Sequence, residues 1–587
     1  MVLYLCGYWV RFCPALFQIA LLFLFTLSIP VHINAASADS FKTNEYWNST
    51  GLDFIHAADA YALGYTGAGT TLGIIDSAVR ADHPELAGKV ILMALPLDET
   101  TGQLYVPNWA YDKHGSHVAG IMAAMRNGVG MHGVAFDADL VSVAMLGGAS
   151  GSTEHLLTPD FLSLFAAHPE IRVINNSWGA SYYPSLDPAK DIPADIISNQ
   201  DNEIKALCKL SEEYGKVVVF AAGNSTMIAP SVEGMMPRYV PDLKGWLSVV
   251  SLNISGITTA ADGTRTVGPS GVSYFSNLGS KASLWTVAAP GSYINSLNAT
   301  TNGYMVSSGT SMAAPYVSGT VGLVAQAFPW MTGKQLADAV LTTADNTFVA
   351  PTHLVQYSVD NYGNPNKVII TIIDNAVPAP NDVTIKQWIE EVFQGARADA
   401  LKDLVDQGNK AVNNLTREDV FGQGLLDAGK AVRGIARLDA NRMSASDVVA
   451  LAELGPGNYA LETFDTKGYF AEFSNDISQR QWIDAYHHAS FLAGADATAL
   501  RGKDVGLRKT GAGLLVLSGV NSYSGATVVD GGGLAVSKRA DGTGGVLQNS
   551  DVLVRQGGVL LGDGEIQKKV VNSGTVAPGY RGLTLTV

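Results

Sequence analysis

A serine surrounded by small residues is the side chain in this sequence best suited to nucleophilic chemistry. Ser311 lies in the segment Gly309–Pro315, which reads Gly-Thr-Ser-Met-Ala-Ala-Pro, and a helical pattern runs from Ala313 to about Phe328. At the start of a helix the backbone N–H groups are free and the helix dipole is positive. Both features stabilise the negative charge that develops when a serine oxygen attacks a carbonyl group.

Serine alone is a weak nucleophile, and the sequence supplies groups that can activate it. His114 opens a second helical pattern rich in small residues, and its imidazole can accept the serine proton. Asp76 directly follows the apolar run Leu72–Ile75, and its carboxylate can orient that imidazole. The side-chain amide of Asn224, which follows the apolar run Val217–Ala221, can donate to an oxyanion.

These groups are far apart in the chain, so they need a framework that brings them together. From residue 39 to about 440, short apolar runs alternate with helical patterns, such as the stretch Gly333–Leu341 that Thr332 can cap. This alternation predicts an α/β domain with a mainly parallel sheet. Asp76 then lies at the carboxyl end of a strand, where such sheets place their sites.

Four segments together resemble those of the subtilisin-like serine proteases, or subtilases. Gly309–Pro315 matches the family's nucleophile motif, and His114–Gly120 matches its histidine motif with Ser116 where threonine is commoner. The segment 76–78 matches the aspartate motif, although Ala78 stands where glycine is usual and would be strained if its φ were positive. The chain order of aspartate, histidine and serine is also that of subtilisin.

Two further segments extend the resemblance to about residues 50 to 435. Val173–Gly179 is similar to the strand that lines the S1 pocket, and Gly422–Ala428 is similar to the closing segment of the domain. A long piece from about 343 to 419 is predicted to be an insertion before that closing segment, with a solvated helical part around Lys386–Gly408. The resemblance implies a subtilisin-like, mainly parallel sheet with helices on both faces.

The resemblance also implies a role for each site residue. Ser311 attacks the peptide carbonyl, His114 transfers the proton and Asp76 orients the imidazole. Asn224 and the backbone N–H of Ser311 bind the oxyanion. The residues expected to contact the substrate are Ser177, Trp178, Gly179, Gly147, Gly151, Ala222 and Gly223. The stretch 147–151 is expected to pair with the substrate as an edge strand.

The implied reaction uses no cofactor, and its partners are protein or peptide substrates. The sequence has no His-Glu-x-x-His zinc motif, and three cysteines are too few for an all-cysteine, four-ligand zinc site. Calcium sites are common in the family, but no residues here are assigned to one. An S1 pocket without an evident acidic residue predicts an apolar or broad preference at P1. The sequence carries no signal of an oligomeric state.

Composition excludes several classes of protein. The chain has 587 residues, of which 47% are hydrophobic and 16% charged, so it can bury a large core. Its formal charge of −15 disfavours a nucleic-acid-binding role. Residues 1–38 are predicted to be a cleaved export signal, with a short apolar core and the small-residue pattern Ala36-Ser37-Ala38. A transmembrane anchor is the alternative reading of this segment.

The sequence changes character near its end. Residues 501–587 contain 19 glycines in 87 residues and short apolar runs such as Leu514–Leu517 and Val552–Val554. These runs, separated by Gly, Asn, Ser and Asp, predict a stacked β-solenoid, with a β-sandwich as the alternative. Residues 441–500 are predicted to connect this part to the peptidase domain, which spans 39–440.

The segment 507–527 is similar to the passenger-associated repeat of Gram-negative autotransporters. This resemblance implies an exported protease on the cell surface or in the extracellular space of a Gram-negative-type bacterium. Such a protein is expected to reach the outer membrane through a barrel of strands about ten residues long. No such strands follow the repeat, so the sequence is predicted to be a fragment or a reading frame truncated before the barrel, with a passenger secreted by another route as the alternative.

The leading hypothesis is therefore an exported serine endopeptidase that acts through an acyl-enzyme. The alternative is a catalytically inactive, adhesin-like passenger that binds surface partners. A third hypothesis, an esterase or peptide ligase on the same fold, also proceeds through an acyl-enzyme and is not distinguished by sequence.

Overall fold

The computed structural model describes residues 36–98, 102–110, 112–146, 156–157, 160–179, 202–240, 242–358, 366–487, 494–579 and 585–586. Only the last three residues of the predicted export segment 1–38 belong to these ranges. Gly147 and Gly151, which were expected to contact the substrate, lie outside them.

Among the described helices, none is both long enough and apolar enough to cross a membrane. They are α1 (Asn44–Asn48), α2 (Ala57–Ala62), α3 (Lys113–Ala123), α4 (Phe161–Ala167), α5 (Asn202–Glu212), α6 (Thr310–Ala327), α7 (Gly333–Thr343), α8 (Asp382–Val392), α9 (Gly395–Asp406), α10 (Arg417–Phe421), α11 (Ala428–Ala431) and α12 (Ala495–Leu500).

The strands fall into an earlier and a later series. The earlier strands are β1 (Thr71–Ser77), β2 (Val90–Ala94), β3 (Leu97–Asp98), β4 (Asp139–Leu146), β5 (Leu156–Leu157), β6 (Ile171–Asn176), β7 (Val217–Ala221), β8 (Trp246–Leu252), β9 (Ile257–Thr259), β10 (Arg265–Val267), β11 (Thr286–Pro290), β12 (Ile294–Leu297), β13 (Tyr304–Ser307), β14 (His353–Ser358), β15 (Lys367–Ile373) and β16 (Lys410–Leu415). The later strands are β17 (Arg437–Asp439), β18 (Val448–Ala450), β19 (Asn458–Asp465), β20 (Phe470–Phe473), β21 (Ser478–Arg480), β22 (Val505–Thr510), β23 (Leu514–Leu517), β24 (Val520–Asn521), β25 (Thr527–Val529), β26 (Gly532–Val536), β27 (Val546–Leu547), β28 (Val552–Val554), β29 (Gly558–Gly562), β30 (Glu565–Ile566), β31 (Val570–Asn572) and β32 (Thr575–Pro578).

A seven-stranded sheet forms the centre of the earlier series. Its order is β11-β8-β7-β6-β1-β4-β2, and every neighbouring pair runs parallel. The predicted runs Leu72–Ile75 and Val217–Ala221 are strands β1 and β7. Both are buried along their whole length, which explains their continuous apolar character. The prediction of a mainly parallel sheet is confirmed.

Helices cover both faces of this sheet, as expected. On β1, the side chain of Ile74 joins a core that includes Val317 of α6. The next residue, Ile75, joins a separate core on the other face with Phe165 of α4 and Leu207 of α5. Because successive side chains of a strand point to opposite faces, this alternation means that the sheet is covered on each side.

Residues 353–415 form a smaller unit beside the central sheet. β14 pairs antiparallel with β15, and β15 pairs parallel with β16. The helical part predicted around Lys386–Gly408 is two helices, α8 and α9. It is not simply solvated, because Ile385, Ile389 and Leu401 pack against Val355 and Ile370 of the small sheet.

The later strands form stacked parallel sheets, which confirms the predicted β-solenoid. β19, β22, β25, β28 and β31 share one sheet, while β20, β23, β26, β29 and β32 share a second and β24, β27 and β30 a third. Strands next to each other in these three sets pair in parallel. Each turn of chain therefore buries its apolar residues only by stacking on its neighbours.

An aromatic cluster joins the helical layer to the first turns of the solenoid. Phe328, just after α6, lies edge-on to Phe473 of β20 with ring centroids 5.5 Å apart. Trp330 packs in the same way on Phe464 of β19, at 6.3 Å. Beside the rings, the ammonium of Lys334 lies 2.7 Å from the carboxylate of Glu462 on β19. The solenoid and the α/β part therefore share one continuous core.

We expect Phe473→Ala to lower the free energy of unfolding by about 3–5 kcal/mol, since it removes a fully buried ring and leaves a cavity. Urea or thermal unfolding measures this change. Phe470 lies on the same strand but is 57% exposed, so Phe470→Ala is the control and should cost less than about 0.5 kcal/mol. Equal effects of the two substitutions would contradict a packed junction.

Candidate active site

The carboxylate of Asp76 is fully buried at the carboxyl end of β1, with an exposed fraction of 0%. Its Oδ1 accepts a hydrogen bond from the backbone N–H of Ser77 at 2.7 Å. The same oxygen lies 2.7 Å from Nδ1 of His114. Ala78 is not among the non-glycine residues with positive φ, so an alanine there is unstrained. A buried carboxylate is stable only when it is paired, and Asp76 has this partner in His114.

His114 lies in the first turn of α3, close beside the end of β1. This close approach is possible because Gly115 has no side chain: a Cβ there would lie 2.1 Å from the carbonyl oxygen of Ser77. The N–H of Gly115 also donates to the Ser77 hydroxyl at 2.8 Å. Since Nδ1 of His114 faces the Asp76 carboxylate, Nε2 is the nitrogen left to accept a proton.

The electrostatic environment of His114 favours the protonated imidazole. Burial lowers its pKa, but the charge of the Asp76 carboxylate and its hydrogen bond outweigh burial, so the pKa is raised above the usual value of 6.5. The side chain remains 37% exposed. The imidazole can therefore reach a bound substrate while Asp76 holds it from behind.

Ser311 lies at the second position of α6, as its motif predicted, although the helix begins three residues before Ala313. Its hydroxyl donates to the carbonyl oxygen of Ser177 at 2.9 Å. In return, the Ser177 hydroxyl donates to the Ser311 carbonyl at 2.8 Å. No hydrogen bond within the described residues joins Ser311 to His114. The serine is thus at the expected place, with its hydroxyl turned toward the end of β6.

Asn224 is held by Thr310, a contact that the sequence motifs do not indicate. Its Oδ1 accepts hydrogen bonds from the backbone N–H of Thr310 at 2.8 Å and from the Thr310 hydroxyl at 2.9 Å. With the oxygen turned to Thr310, the Nδ2 amide is left as the donor. A Cβ on Gly309 would lie 3.7 Å from Nδ2 and 3.5 Å from the backbone N of Ser311. The two donors therefore border one small space, which suits an oxyanion.

The loop that carries Asn224 is held in a strained conformation. Thr226 has a φ of 54°, in the left-handed region that β-branched residues rarely adopt. Asn277 secures the loop, because its Oδ1 accepts the N–H groups of Ser225 at 2.9 Å and Met227 at 3.1 Å. Sequence patterns do not reveal Asn277 as part of the site, since it is more than fifty residues away in the chain.

The remaining described residues expected to contact the substrate line the same edge of the sheet. Ser177 and Trp178 follow β6, while Ala222 and Gly223 follow β7. The Trp178 ring packs edge-on against Phe220 at 5.0 Å, so it contributes to the core as well as to the edge. Gly179 is exposed. A Cβ there would lie 3.2 Å from the buried Glu233 carboxylate, an acidic neighbour that the sequence analysis did not identify.

Two buried carboxylates outside this site, those of Glu45 and Glu85, are held by protein donors. Glu45 accepts the backbone N–H groups of Asn127 at 2.8 Å and Gly128 at 2.9 Å. Glu85 accepts the Tyr304 hydroxyl and the Asn127 side-chain amide. Each carboxylate oxygen is thus satisfied by a protein donor. Within the described ranges, no group of three or more His, Cys, Asp or Glu side chains could hold a metal.

A parallel sheet that carries an Asp–His pair, a serine at a helix start and an asparagine amide on its carboxyl edge is the arrangement expected of a serine hydrolase. Residues 67–379 match the family model described as "Subtilase family". The chain belongs to the subtilase family. Residues 507–536 match the "Passenger-associated-transport-repeat".

Parts of the chain are similar to individual proteases. The chain is 29% identical to an "Extracellular serine protease" of Serratia marcescens, with 92% of this chain and 47% of that protein covered. It is also 29% identical to "Subtilisin DY" of Bacillus licheniformis, over 50% of this chain and 91% of that protein. A solved cold-adapted subtilisin-like serine proteinase aligns with 25% identity and a TM-score of 0.34, covering 48% of this chain and 85% of that one. The chain spans about half the length of the Serratia proteases it matches.

The space between Asn224 and Ser311 gives a first test of the site. We expect Gly309→Ala to lower kcat for peptide hydrolysis about 10²- to 10³-fold, because the added methyl would lie against both donors. Gly309 has an extended backbone with φ of 164°, which alanine also adopts, so folding should be unchanged. Gly303→Ala is the control, since its Cβ has only Thr301 within 4 Å. Full activity of Gly309→Ala would exclude an oxyanion at this place.

A second expectation concerns pH. Because Asp76 raises the pKa of His114 above 6.5, the imidazole is protonated and inactive as a base until the pH exceeds that raised pKa. The acidic limb of kcat/KM should therefore have its midpoint above 6.5. Asp76→Asn should shift this midpoint to lower pH, because the negative charge is removed. It should also reduce kcat by about 10⁴-fold, because an asparagine no longer holds the imidazole in the tautomer that accepts the serine proton. If the midpoint does not move in Asp76→Asn, the acidic limb of kcat/KM does not report the titration of His114 beside Asp76.

Proposed function

We propose that this chain is an exported serine endopeptidase that hydrolyses peptide bonds through an acyl-enzyme. The observation that carries this proposal is the 2.7 Å contact between Asp76 and His114 on the same sheet edge as Ser311 and Asn224. Membership in the subtilase family supports it. The substrates are proteins or peptides, bound along the end of β6.

The proposed reaction begins at Ser311. Its Oγ forms a bond to the carbonyl carbon of the substrate, and Nε2 of His114 takes the hydroxyl proton. The imidazolium is stabilised by the Asp76 carboxylate, and the carbonyl oxygen becomes an oxyanion between Nδ2 of Asn224 and the N–H of Ser311. When the C–N bond breaks, the same imidazolium gives its proton to the leaving amine. Water then attacks the carbonyl carbon of the acyl-enzyme while Nε2 of His114 takes its proton. The imidazolium returns a proton to Oγ of Ser311 as the acid product leaves.

One rearrangement must precede this attack. The Ser311 hydroxyl donates to the Ser177 carbonyl, so it must rotate to reach Nε2 of His114. A substrate backbone that pairs with the segment Ser177–Gly179 lies next to this carbonyl. Catalytic hydrogen bonds commonly tighten only once the substrate is in place, so this resting geometry is compatible with an active enzyme.

Export is the second part of the proposal. Similarity to extracellular proteases and the match of residues 507–536 to a passenger-associated repeat support transport to the cell surface or beyond. The stacked solenoid gives the protease a rigid extension whose first turns share its core. In this reading the peptidase is the functional part, and the solenoid holds it at a distance from the cell.

A fluorophosphonate serine-hydrolase probe tests the assigned nucleophile directly. We expect the wild-type chain to be labelled and Ser311→Ala to lose labelling and peptidase activity together. Ser307→Ala, a change of the same kind four residues earlier, should retain both. A folded wild-type chain that is not labelled would favour the inactive, adhesin-like passenger. Peptidase activity that survives in Ser311→Ala would show that another residue is the nucleophile.

A further inference from the structure

The strand order divides the carboxyl edge of the sheet into two parts, one on each side of β6. β1 and β4 flank β6 on one side, and β7, β8 and β11 lie on the other. In the proposed function, residues before the scissile bond run along the segment Ser177–Gly179 after β6. This leaves the other side, at the ends of β8 and β11, for the residues after that bond. The features on this second side are not used by the proposed chemistry.

Tyr293 is the first of these features. It follows β11, is 65% exposed and has a φ of 58°, in the left-handed region. Its N–H donates to the hydroxyl of Ser308 at 2.8 Å. Since Ser308 precedes Ser311 by three residues, the Tyr293 backbone lies within roughly 17 Å of the nucleophile. A strained residue that exposes an aromatic ring beside a catalytic segment indicates a functional role.

The smaller unit of residues 353–415 lies close to Tyr293, whose hydroxyl acts electrostatically on that of Tyr357. Tyr357 of β14 stacks on Tyr274 with ring centroids 4.4 Å apart and planes 6° from parallel. The neighbour of Tyr274, Phe275, accepts the N–H of Thr226 through its carbonyl at 3.0 Å. This contact connects the stacked tyrosines to the strained loop that carries Asn224. The unit of residues 353–415 is thus connected to the loop of Asn224 through Tyr357, Tyr274 and Phe275.

Arg397 completes this surface. Its guanidinium carbon lies 5.9 Å from the ring centroid of Tyr274 and 5.6 Å from that of Tyr357. The residue is exposed in the first turn of α9 and forms no ion pair with any residue of the described ranges. By contrast, Lys402 of the same helix is paired with Glu390 and Asp399. An arginine fixed over aromatic rings keeps its N–H groups available for a carboxylate.

We propose that Tyr293 and Arg397 form a subsite for the leaving-group side of the substrate, which takes an aspartate or glutamate within about five residues after the scissile bond. The guanidinium would bind the side-chain carboxylate through two parallel N–H donors, and the positive end of α9 would add to the attraction. The exposed Tyr293 ring supports the intervening peptide. This inference depends on the proposed peptidase function.

Matched fluorogenic peptides test the subsite. The series carries glutamate, glutamine or lysine at each of the second to fifth positions after the scissile bond, and kcat/KM is measured for each. We expect the wild-type chain to prefer glutamate over glutamine about five- to tenfold at one of these positions, and to cleave the lysine peptide least well. Arg397→Ala should bring the glutamate-to-glutamine ratio of kcat/KM to about one, mainly by slowing cleavage of the glutamate peptide.

Lys402→Ala is the matched control, since it removes a cation from the same helix, and it should keep the preference. Tyr293→Ala should raise KM for peptides with five residues after the bond but not for those with one. A wild-type chain that cleaves the series without preference, or an Arg397→Ala variant that keeps the preference, would overturn the subsite. A labelled Ser311 with no cleavage of any peptide would overturn the proposed peptidase function and the subsite with it.

Discussion

The buried carboxylate of Asp76 is the constraint on which the rest of the site depends. With no access to water, it is stable only because the N–H of Ser77 and the imidazole of His114 donate to it. This pairing requires α3 to touch β1, and a side chain at Gly115 would prevent that contact. The imidazole is thereby held between a strand and a helix, elements that position a side chain more accurately than a loop can.

The elements that depend on residues close together in the chain are predictable from the sequence. The apolar runs that became β1 and β7, the helix capped by Thr332 and the solenoid strand Leu514–Leu517 each depend on neighbouring residues. The contacts of Asn224 with Thr310, and of Asn277 with the loop around Thr226, join residues more than forty positions apart. No short-range pattern encodes such pairs. The sequence predicts the types and chain positions of the site residues, but not the hydrogen bonds that join them.

The helix α6, which carries the proposed nucleophile, also connects two parts of the molecule that the sequence patterns distinguish. At 1.5 Å per residue, the 18 residues of α6 span about 27 Å. Ser311 lies at its start, and Phe328, just past its end, packs on Phe473 of the solenoid. The solenoid therefore supports the far end of the helix that carries the serine. Substitutions at that junction act on stability, because the reacting atoms are a full helix length away.

The electrostatics of the chain bear on how the inferred subsite would select its substrate. A net charge of −15 repels acidic peptides at long range, but at physiological ionic strength this repulsion is screened beyond about 8 Å. Arg397 would act within contact distance, where screening is weak, and its guanidinium carbon lies 5.9 and 5.6 Å from two ring centroids. A preference for acidic residues would therefore arise from slower dissociation of the bound peptide rather than from faster encounter.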